Sequence, residues 1–159
     1  IIIHRDRDCL TDEELNIYTD CFTGEGIYVF IPEYCDLEGY FCSSNHIQTL
    51  YPMLTETVVE EVLTAVLHNR YDKLLEKLVN SRIDFLKKNG TGINAGEIAV
   101  FCRRKLNEYP MQCANRKILL SGLNEELRIR VGHNINLKTQ SEGIICSPLA
   151  NIKDEIDKG

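Results

Sequence analysis

The chain has 159 residues, of which 43% are hydrophobic, and a formal net charge of −6 at pH 7. This length and apolar content suffice for a buried core, so we expect a globular protein. The acidic balance gives no overall attraction to a polyanion, which argues against a stand-alone nucleic-acid-binding protein. No apolar run approaches the roughly 18 residues that a membrane span requires, so we expect no membrane partner.

Seven cysteines are scattered along the chain without a C-x-x-C pair of the kind that builds zinc or redox sites. We interpret them as reduced, mostly buried thiols, which predicts a cytoplasmic protein. The chain also opens without methionine, at the start of a β-branched segment, Ile1 to Ile3. Natural domains seldom start inside a strand, so we expect a fragment of a longer protein.

The opening of the chain shows a β-α-β pattern. Residues 1–4 form a β-branched run, and residues 11–22 begin with the capping hydroxyl and acidic turn typical of a helix N-terminus. A second strand is predicted over residues 27–31, closed by Pro32, with a short helix near residues 43–50. This order favours a parallel strand pair joined by a right-handed crossover.

The remainder of the chain is predicted to be helical. Apolar residues three and four apart over residues 55–88 indicate an amphipathic helix or a kinked pair. Further helices are predicted over about residues 95–108 and 115–130, and a short one after Pro148.

We therefore expect a mixed α/β class with two regions. Residues 1–50 would form a partial parallel sheet, and residues 51–159 a mainly α-helical region packed on it. Two strands are too few for a complete doubly wound domain, so further strands would lie outside this chain.

Two carboxylates follow the first predicted strand. Residues two apart in a strand point the same way, so Asp6 and Asp8 would face the carboxyl edge of the sheet, where ligands of open α/β sheets bind. Such a pair suits Mg²⁺ or Mn²⁺, which would activate water for attack on a phosphodiester. A solvated charge cluster is the alternative interpretation, because acidic side chains are ordinarily exposed.

Residues 1–42 as a whole resemble the Toprim domain of the OLD-family (overcoming lysogenization defect) ATP-dependent nucleases. In that family a hydrophobic strand ends in a D-R-D motif, here residues 6–8, and an acidic helix start follows, here residues 11–14. A second strand then leads into an E-N-Y-L-like element, matched here by residues 37–41 with Gly39 in place of Asn. The resemblance implies the C-terminal half of a Toprim-like domain.

The resemblance also implies site residues. Asp6 and Asp8 would act in catalysis and bind the metal, and Glu38 would be a further metal ligand or would orient one. Glu33 and Asp36, on the same loop, are possible helpers. The alternative for Glu38 is a helix N-terminal acid stabilised by the helix dipole.

A lysine completes the implied site. Residues 116–120 are similar to the family's G-K-x-x-L helix start, with Asn115 and Arg116 where glycine is usual. Lys117 would neutralise charge on the scissile phosphate, as a catalytic residue. An exposed lysine at a helix start is the alternative. His4 would orient Asp6, or would be a strand histidine satisfied in the core.

The resemblance further implies partners. DNA would be the substrate of the intact protein, and an ABC-type ATPase domain or subunit would work beside the nuclease in phage defence or DNA repair. Toprim folds also use a glutamate from a strand that would precede Ile1, so we expect this fragment to be inactive alone.

Two other interpretations stay open. The helical region from Tyr51 would be a non-catalytic docking or oligomerisation surface, with the chain forming a homo-oligomer. A different Mg²⁺-dependent phosphotransfer or phosphatase fold would use Asp6 and Asp8 as nucleophile and acid.

Overall fold

The computed structural model describes residues 1–158, and most of them are helical. In chain order the elements are β1 (Ile2–His4), α1 (Asp12–Asp20), β2 (Tyr28–Phe30), a 3-10 helix (Leu37–Cys42), α2 (Ser44–Leu50), α3 (Glu56–Asn69), α4 (Tyr71–Lys88), α5 (Ala95–Glu108), α6 (Pro110–Cys113), α7 (Arg116–Val131) and α8 (Ser147–Lys158). The predicted mixed α/β class is confirmed. None of the helices in this part of the chain has the length and apolar character needed to cross a membrane.

The two strands pair in parallel, as the β-α-β pattern predicts. Ile2 lies opposite Tyr28 and His4 opposite Phe30. The ladder is continued on β1's carboxyl side by the Arg5 N–H, which donates to the Phe30 carbonyl at 3.0 Å. The loop that carries the acidic pair therefore begins at the paired carboxyl ends of both strands.

Helix α1 begins at the capping signal found in the sequence. The Glu14 N–H donates to Thr11 Oγ1 at 3.1 Å, and the Thr11 N–H donates to Glu14 Oε2 at 2.8 Å. Arg82 of α4 also donates to Glu14 Oε2, at 2.6 Å. Partial burial opposes ionisation of Glu14, but the hydrogen bonds from Arg82 and Thr11 outweigh it and lower the pKa of this carboxyl. One carboxylate thus caps α1 and joins it to α4.

The long apolar pattern of residues 55–88 is a pair of helices, α3 and α4, separated at Arg70. Both contribute to one core cluster, which also includes Cys9, Cys42 and Ile47 from the opening part of the chain. Helix α4 packs on α5, and α3 packs on α7. The strand segment and the helical region therefore share buried contacts.

Helices α3 and α7 approach each other closely at a glycine. A β-carbon on Gly122 would lie 2.5 Å from Val66 Cγ1, and Val66 is itself buried. Protein interiors are close-packed, so this crossing has no space for a methyl group.

We expect Gly122→Ala to lower the free energy of unfolding by about 1 kcal/mol, because an overpacking cost of about 1–3 kcal/mol exceeds the roughly 1 kcal/mol that alanine gains over glycine in a helix. Gly92→Ala is the control, since nothing lies within 4 Å of a β-carbon there. Urea denaturation measures both. A Gly122→Ala midpoint equal to that of the wild type would contradict the close helix crossing.

A buried histidine holds the irregular segment between α7 and α8. His46 is fully buried on α2; its Nε2 lies 2.7 Å from the Leu137 carbonyl oxygen and its Nδ1 lies 2.7 Å from Ser141 Oγ. In the neutral ring, Nε2–H donates to Leu137 and Nδ1 accepts from the Ser141 hydroxyl, because a carbonyl can only accept. Both ring nitrogens are therefore satisfied by a segment that has no regular structure.

We expect His46→Ala to destabilise the chain by about 1–3 kcal/mol, since the buried Leu137 carbonyl would lose its donor. His68→Ala, at an exposed site on α3, should change stability by less than about 0.5 kcal/mol. Thermal melts followed by circular dichroism compare the two. Equal melting temperatures for the two variants would show that His46 does not hold this segment.

Candidate functional site

The loop after β1 presents Asp6 and Asp8. Strand β1 ends at His4, so the two aspartates follow the strand as predicted, but they lie in a loop where the alternation of strand side chains does not apply to them. Asp8 has a left-handed backbone, with φ at 42°, and its N–H donates to the Cys35 carbonyl at 2.9 Å. Aspartate is one of the few residues that adopts this conformation at low cost. The turn thus brings the acidic loop against the segment that follows β2.

Asp6 carries an unpartnered buried oxygen. His4 Nε2 lies 3.0 Å from Asp6 Oδ1, and the His4 ring stacks on Phe30 with centroids 5.4 Å apart. The contact has the distance of a hydrogen bond without its angular geometry, so Asp6 Oδ1 accepts no hydrogen bond among residues 1–158. A buried acceptor of this kind suits a cation as its partner.

The pKa of the Asp8 carboxyl lies above its ordinary value. Burial of one side of the group raises its pKa most, and the nearby charge of Asp6 raises it further. Arg5 and Arg116 lower the pKa and Asp36 raises it, with a net upward shift. A divalent cation between Asp6 and Asp8 would offset both the burial and the repulsion.

Glu38 is paired with an arginine. Arg116, on the first turn of α7, forms an ion pair through Nη1 with Asp36 Oδ2 at 2.8 Å, and its Nε contacts Glu38 Oε2. Asp36 is buried and also accepts a hydrogen bond from the Gly39 N–H. The structure therefore gives Glu38 a cationic partner on α7, apart from the Asp6–Asp8 pair with which it was grouped from the sequence.

The glycine that departs from the family pattern has a packing reason. A β-carbon on Gly39 would lie 2.4 Å from Tyr34 Cβ, so an asparagine would not fit there without movement. The Tyr34 and Tyr40 rings pack edge to face beside it, with centroids 4.8 Å apart. The tyrosine pair thus lies where a side chain at position 39 would have to go.

Lys117 is exposed on the first turn of α7. It is not among the residues that line the two depressions beside Asp8. The N-terminus of α7 does approach the acidic loop, through Asn115, which lines the smaller depression, and through Arg116. The structure therefore brings Arg116 to the site, a residue that the sequence analysis treated only as a departure from glycine.

A cleft opens between the acidic loop and helix α4. Its volume is about 520 Å³, and it is lined by Arg5, Asp8, Cys9, Leu10, Ser81, Asp84, Phe85, Lys88 and Asn89. A smaller depression of about 20 Å³ adjoins it, lined by Asp8, Cys9, Cys35, Lys77, Leu78, Ser81, Cys113 and Asn115. Asp8 belongs to both, so the acidic loop forms one wall and α4 the other.

The cysteines of this cleft are not reactive thiols. All seven cysteines are free, as predicted, and Cys9, Cys35, Cys42 and Cys102 are buried. Burial raises the pKa of Cys9 to about 11 and that of Cys113 to about 11. Burial therefore favours the protonated form of both thiols.

No protein-family model, curated protein or solved structure matches this chain. Within residues 1–158 there is no group of three or more His, Cys, Asp or Glu side chains placed to hold one metal ion. A metal at this site would thus have Asp6 and Asp8 as its protein ligands, with water or substrate oxygens completing the shell. Mg²⁺ accepts this coordination, because it is commonly held by one or two carboxylates and keeps several waters.

We expect Asp8→Asn to be more stable than the wild type at pH 7. The folded pKa of Asp8 is raised, so its ionisation disfavours the folded state above that pKa, and the penalty disappears as the pH falls below the unfolded value of about 3.9. Asparagine also tolerates the left-handed backbone.

Melting temperatures at pH 7 and near pH 3.5 measure this effect, with exposed Asp154→Asn as the control. The advantage of Asp8→Asn should shrink on acidification, while the control stays close to wild type at both pH values. If the stability advantage of Asp8→Asn grew at low pH, folding would lower the pKa of Asp8 and not raise it.

Proposed function

We propose that this chain is part of a metal-dependent nuclease of the Toprim type, acting on DNA phosphodiesters, in which Asp6 and Asp8 hold Mg²⁺ or Mn²⁺. The buried Oδ1 of Asp6, which accepts no hydrogen bond among residues 1–158, carries the proposal together with the neighbouring Asp8 carboxyl, whose pKa is raised. A divalent cation would compensate both groups. The cleft next to Asp8 has room for a phosphodiester, at about 520 Å³.

The residues of the chain have distinct roles in this proposal. A bound metal would supply Lewis-acid activation of water and of the phosphoryl oxygen. Asp6 and Asp8 would bind it, and His4, 3.0 Å from Asp6 Oδ1, would orient the first of them. Glu38 would have to break its contact with Arg116 to act as a metal ligand, so we assign Glu38 a role in supporting the loop. The role of Lys117 on the scissile phosphate rests on the sequence pattern alone.

The resemblance that supports this function also supplies its partners. In the intact protein the site would work with an ABC-type ATPase domain or subunit, in phage defence or DNA repair in the cytoplasm. Toprim nucleases need a further catalytic carboxylate, and the described residues offer no third ligand at the pair. We therefore expect the 159-residue chain to bind the ion without cleaving DNA.

An apolar groove favours the non-catalytic alternative. Helix α8 and strand β1 border a groove of about 360 Å³ whose lining is almost entirely apolar. Ile2, Leu149 and Ile156 are exposed beside it. In this alternative a second copy of the chain would cover the groove, and the acidic loop would bind no divalent ion at a specific site.

Binding of Mn²⁺ by the 159-residue chain separates the two functions. We expect Asp6→Asn and Asp8→Asn each to weaken Mn²⁺ binding by more than about tenfold, since loss of even an outer-shell partner costs about 10–100-fold. Asp20→Asn, exposed at the end of α1, is the charge-matched control and should bind as the wild type does. Electron paramagnetic resonance of free Mn²⁺ gives the affinities.

The same substitutions should abolish DNA cleavage by the intact protein without unfolding it. Binding of Mn²⁺ that neither aspartate variant weakens would place the ion elsewhere. A wild-type chain that binds no Mn²⁺ and forms a dimer through the α8 groove would favour the docking alternative.

A further inference from the structure

Helix α4 presents a polar face to the cleft beside Asp8. Lys77, Ser81 and Lys88 line the two adjoining depressions that share Asp8. Their separations of four and seven residues place them on one side of a helix. Both lysines are exposed at the cleft. The wall opposite the acidic pair is therefore cationic at its two ends.

Arg5 faces this wall from the loop after β1. It lines the larger depression, and its guanidinium lies 5.4 Å from the centroid of the Tyr18 ring. Its Nε is buried and donates to no acceptor among residues 1–158. A buried donor without an acceptor is costly, and a phosphate oxygen is a partner that the planar guanidinium matches well.

The cations of the cleft are available to a ligand. Within the described part of the chain, no ion pair involves Arg5, Lys77 or Lys88. By contrast, the arginines that hold the fold together, Arg82 and Arg116, are each paired with carboxylates. The local charge of this surface therefore differs from the acidic balance of the whole chain.

The acidic residues of the cleft do not cancel this charge when a metal is present. Asp84 and Asp8 both line the larger depression. Asp84 stands four residues before Lys88 but forms no ion pair with it within the described part of the chain, so its single charge offsets only one of the three cations of the cleft. A divalent ion bound to Asp8 would neutralise the Asp8 carboxylate, which leaves the surface suited to an anionic ligand.

The length of the cationic face of α4 and its aromatic lining indicate which kind of polyanion would bind there. Lys77 and Lys88 are separated by eleven residues, or about 16 Å along the helix. This length covers a few nucleotides of one strand, since each advances by at least about 3.4 Å. Phe85 is a half-buried aromatic ring that lines the same cleft, and single-stranded nucleic-acid sites stack bases on aromatic rings.

We propose that the α4 face formed by Lys77, Ser81, Phe85 and Lys88, with Arg5 opposite, binds single-stranded DNA next to the phosphate at the acidic pair. The lysines and Arg5 contact backbone phosphates, Ser81 donates a hydrogen bond from its hydroxyl, and Phe85 stacks on a base. This inference rests on the proposed function, because it makes α4 the substrate-binding wall of the same site.

The test measures binding of a fluorescent single-stranded oligonucleotide to the 159-residue chain by anisotropy, with Ca²⁺ present. The variant is Lys77→Ala with Lys88→Ala. The control is Lys73→Ala with Lys87→Ala, which removes the same charge from two exposed positions of α4 that do not line the cleft. Circular dichroism shows that both variants fold.

The cleft variant should bind the oligonucleotide more weakly than the control. For the cleft variant, the slope of log affinity against log salt should be shallower than the wild-type slope by about 1.4. Each lost phosphate contact on a single strand accounts for about 0.7 of this change, and the variant loses two such contacts. An unchanged slope, equal weakening in both variants, or a wild-type chain that does not bind the oligonucleotide would overturn the proposal.

Mn²⁺ binding by the same proteins keeps the two proposals apart. Loss of oligonucleotide binding in the cleft variant with Mn²⁺ affinity retained supports both. A second outcome is Mn²⁺ binding at Asp6 and Asp8 with oligonucleotide binding that the lysine substitutions do not change. This outcome overturns the proposed α4 surface and retains the proposed metal site. Lysine-dependent oligonucleotide binding by a chain that binds no Mn²⁺ supports the surface and overturns the nuclease function.

Discussion

The geometry of the acidic loop depends on the Arg116 side chain, which joins the start of α7 to the segment after β2. Asp36 is buried, and a buried carboxylate without a partner would cost several kcal/mol. Arg116 supplies that partner and contacts Glu38 as well. The anchored segment includes Cys35, whose carbonyl accepts the Asp8 N–H. The left-handed turn that presents Asp8 to the cleft is thus supported by an arginine from α7.

The same arginine divides the acidic residues into two groups with different chemistry. Asp36 and Glu38 have a cationic partner and belong to the support of the loop. Asp6 and Asp8 have only His4 and the more distant arginines beside them. The buried Oδ1 of Asp6 accepts no hydrogen bond among residues 1–158, and the pKa of Asp8 is raised. The proposed divalent ion would therefore compensate the second group, which is why the proposed site has two protein ligands.

Helix α4 connects this loop to the core. One of its faces buries Leu74 and Leu78, and Arg82 on the same helix donates to the carboxylate that caps α1. The apolar contacts and this ion pair hold the polar face of α4 opposite Asp8. Both walls of the cleft are therefore anchored by contacts within the protein.

The sequence by itself determined the local features: the Thr11–Glu14 capping box, the parallel β-α-β opening and helix α5 at the predicted bounds. Caps, turns and apolar periodicity depend on residues close together in the sequence, so they can be predicted without knowledge of the fold. Only the tertiary structure decided that Glu38 meets Arg116, that His46 holds residues 91 and 95 positions away, and that α4 faces Asp8. These contacts depend on how helices cross and pack, and no local pattern along the chain records that geometry.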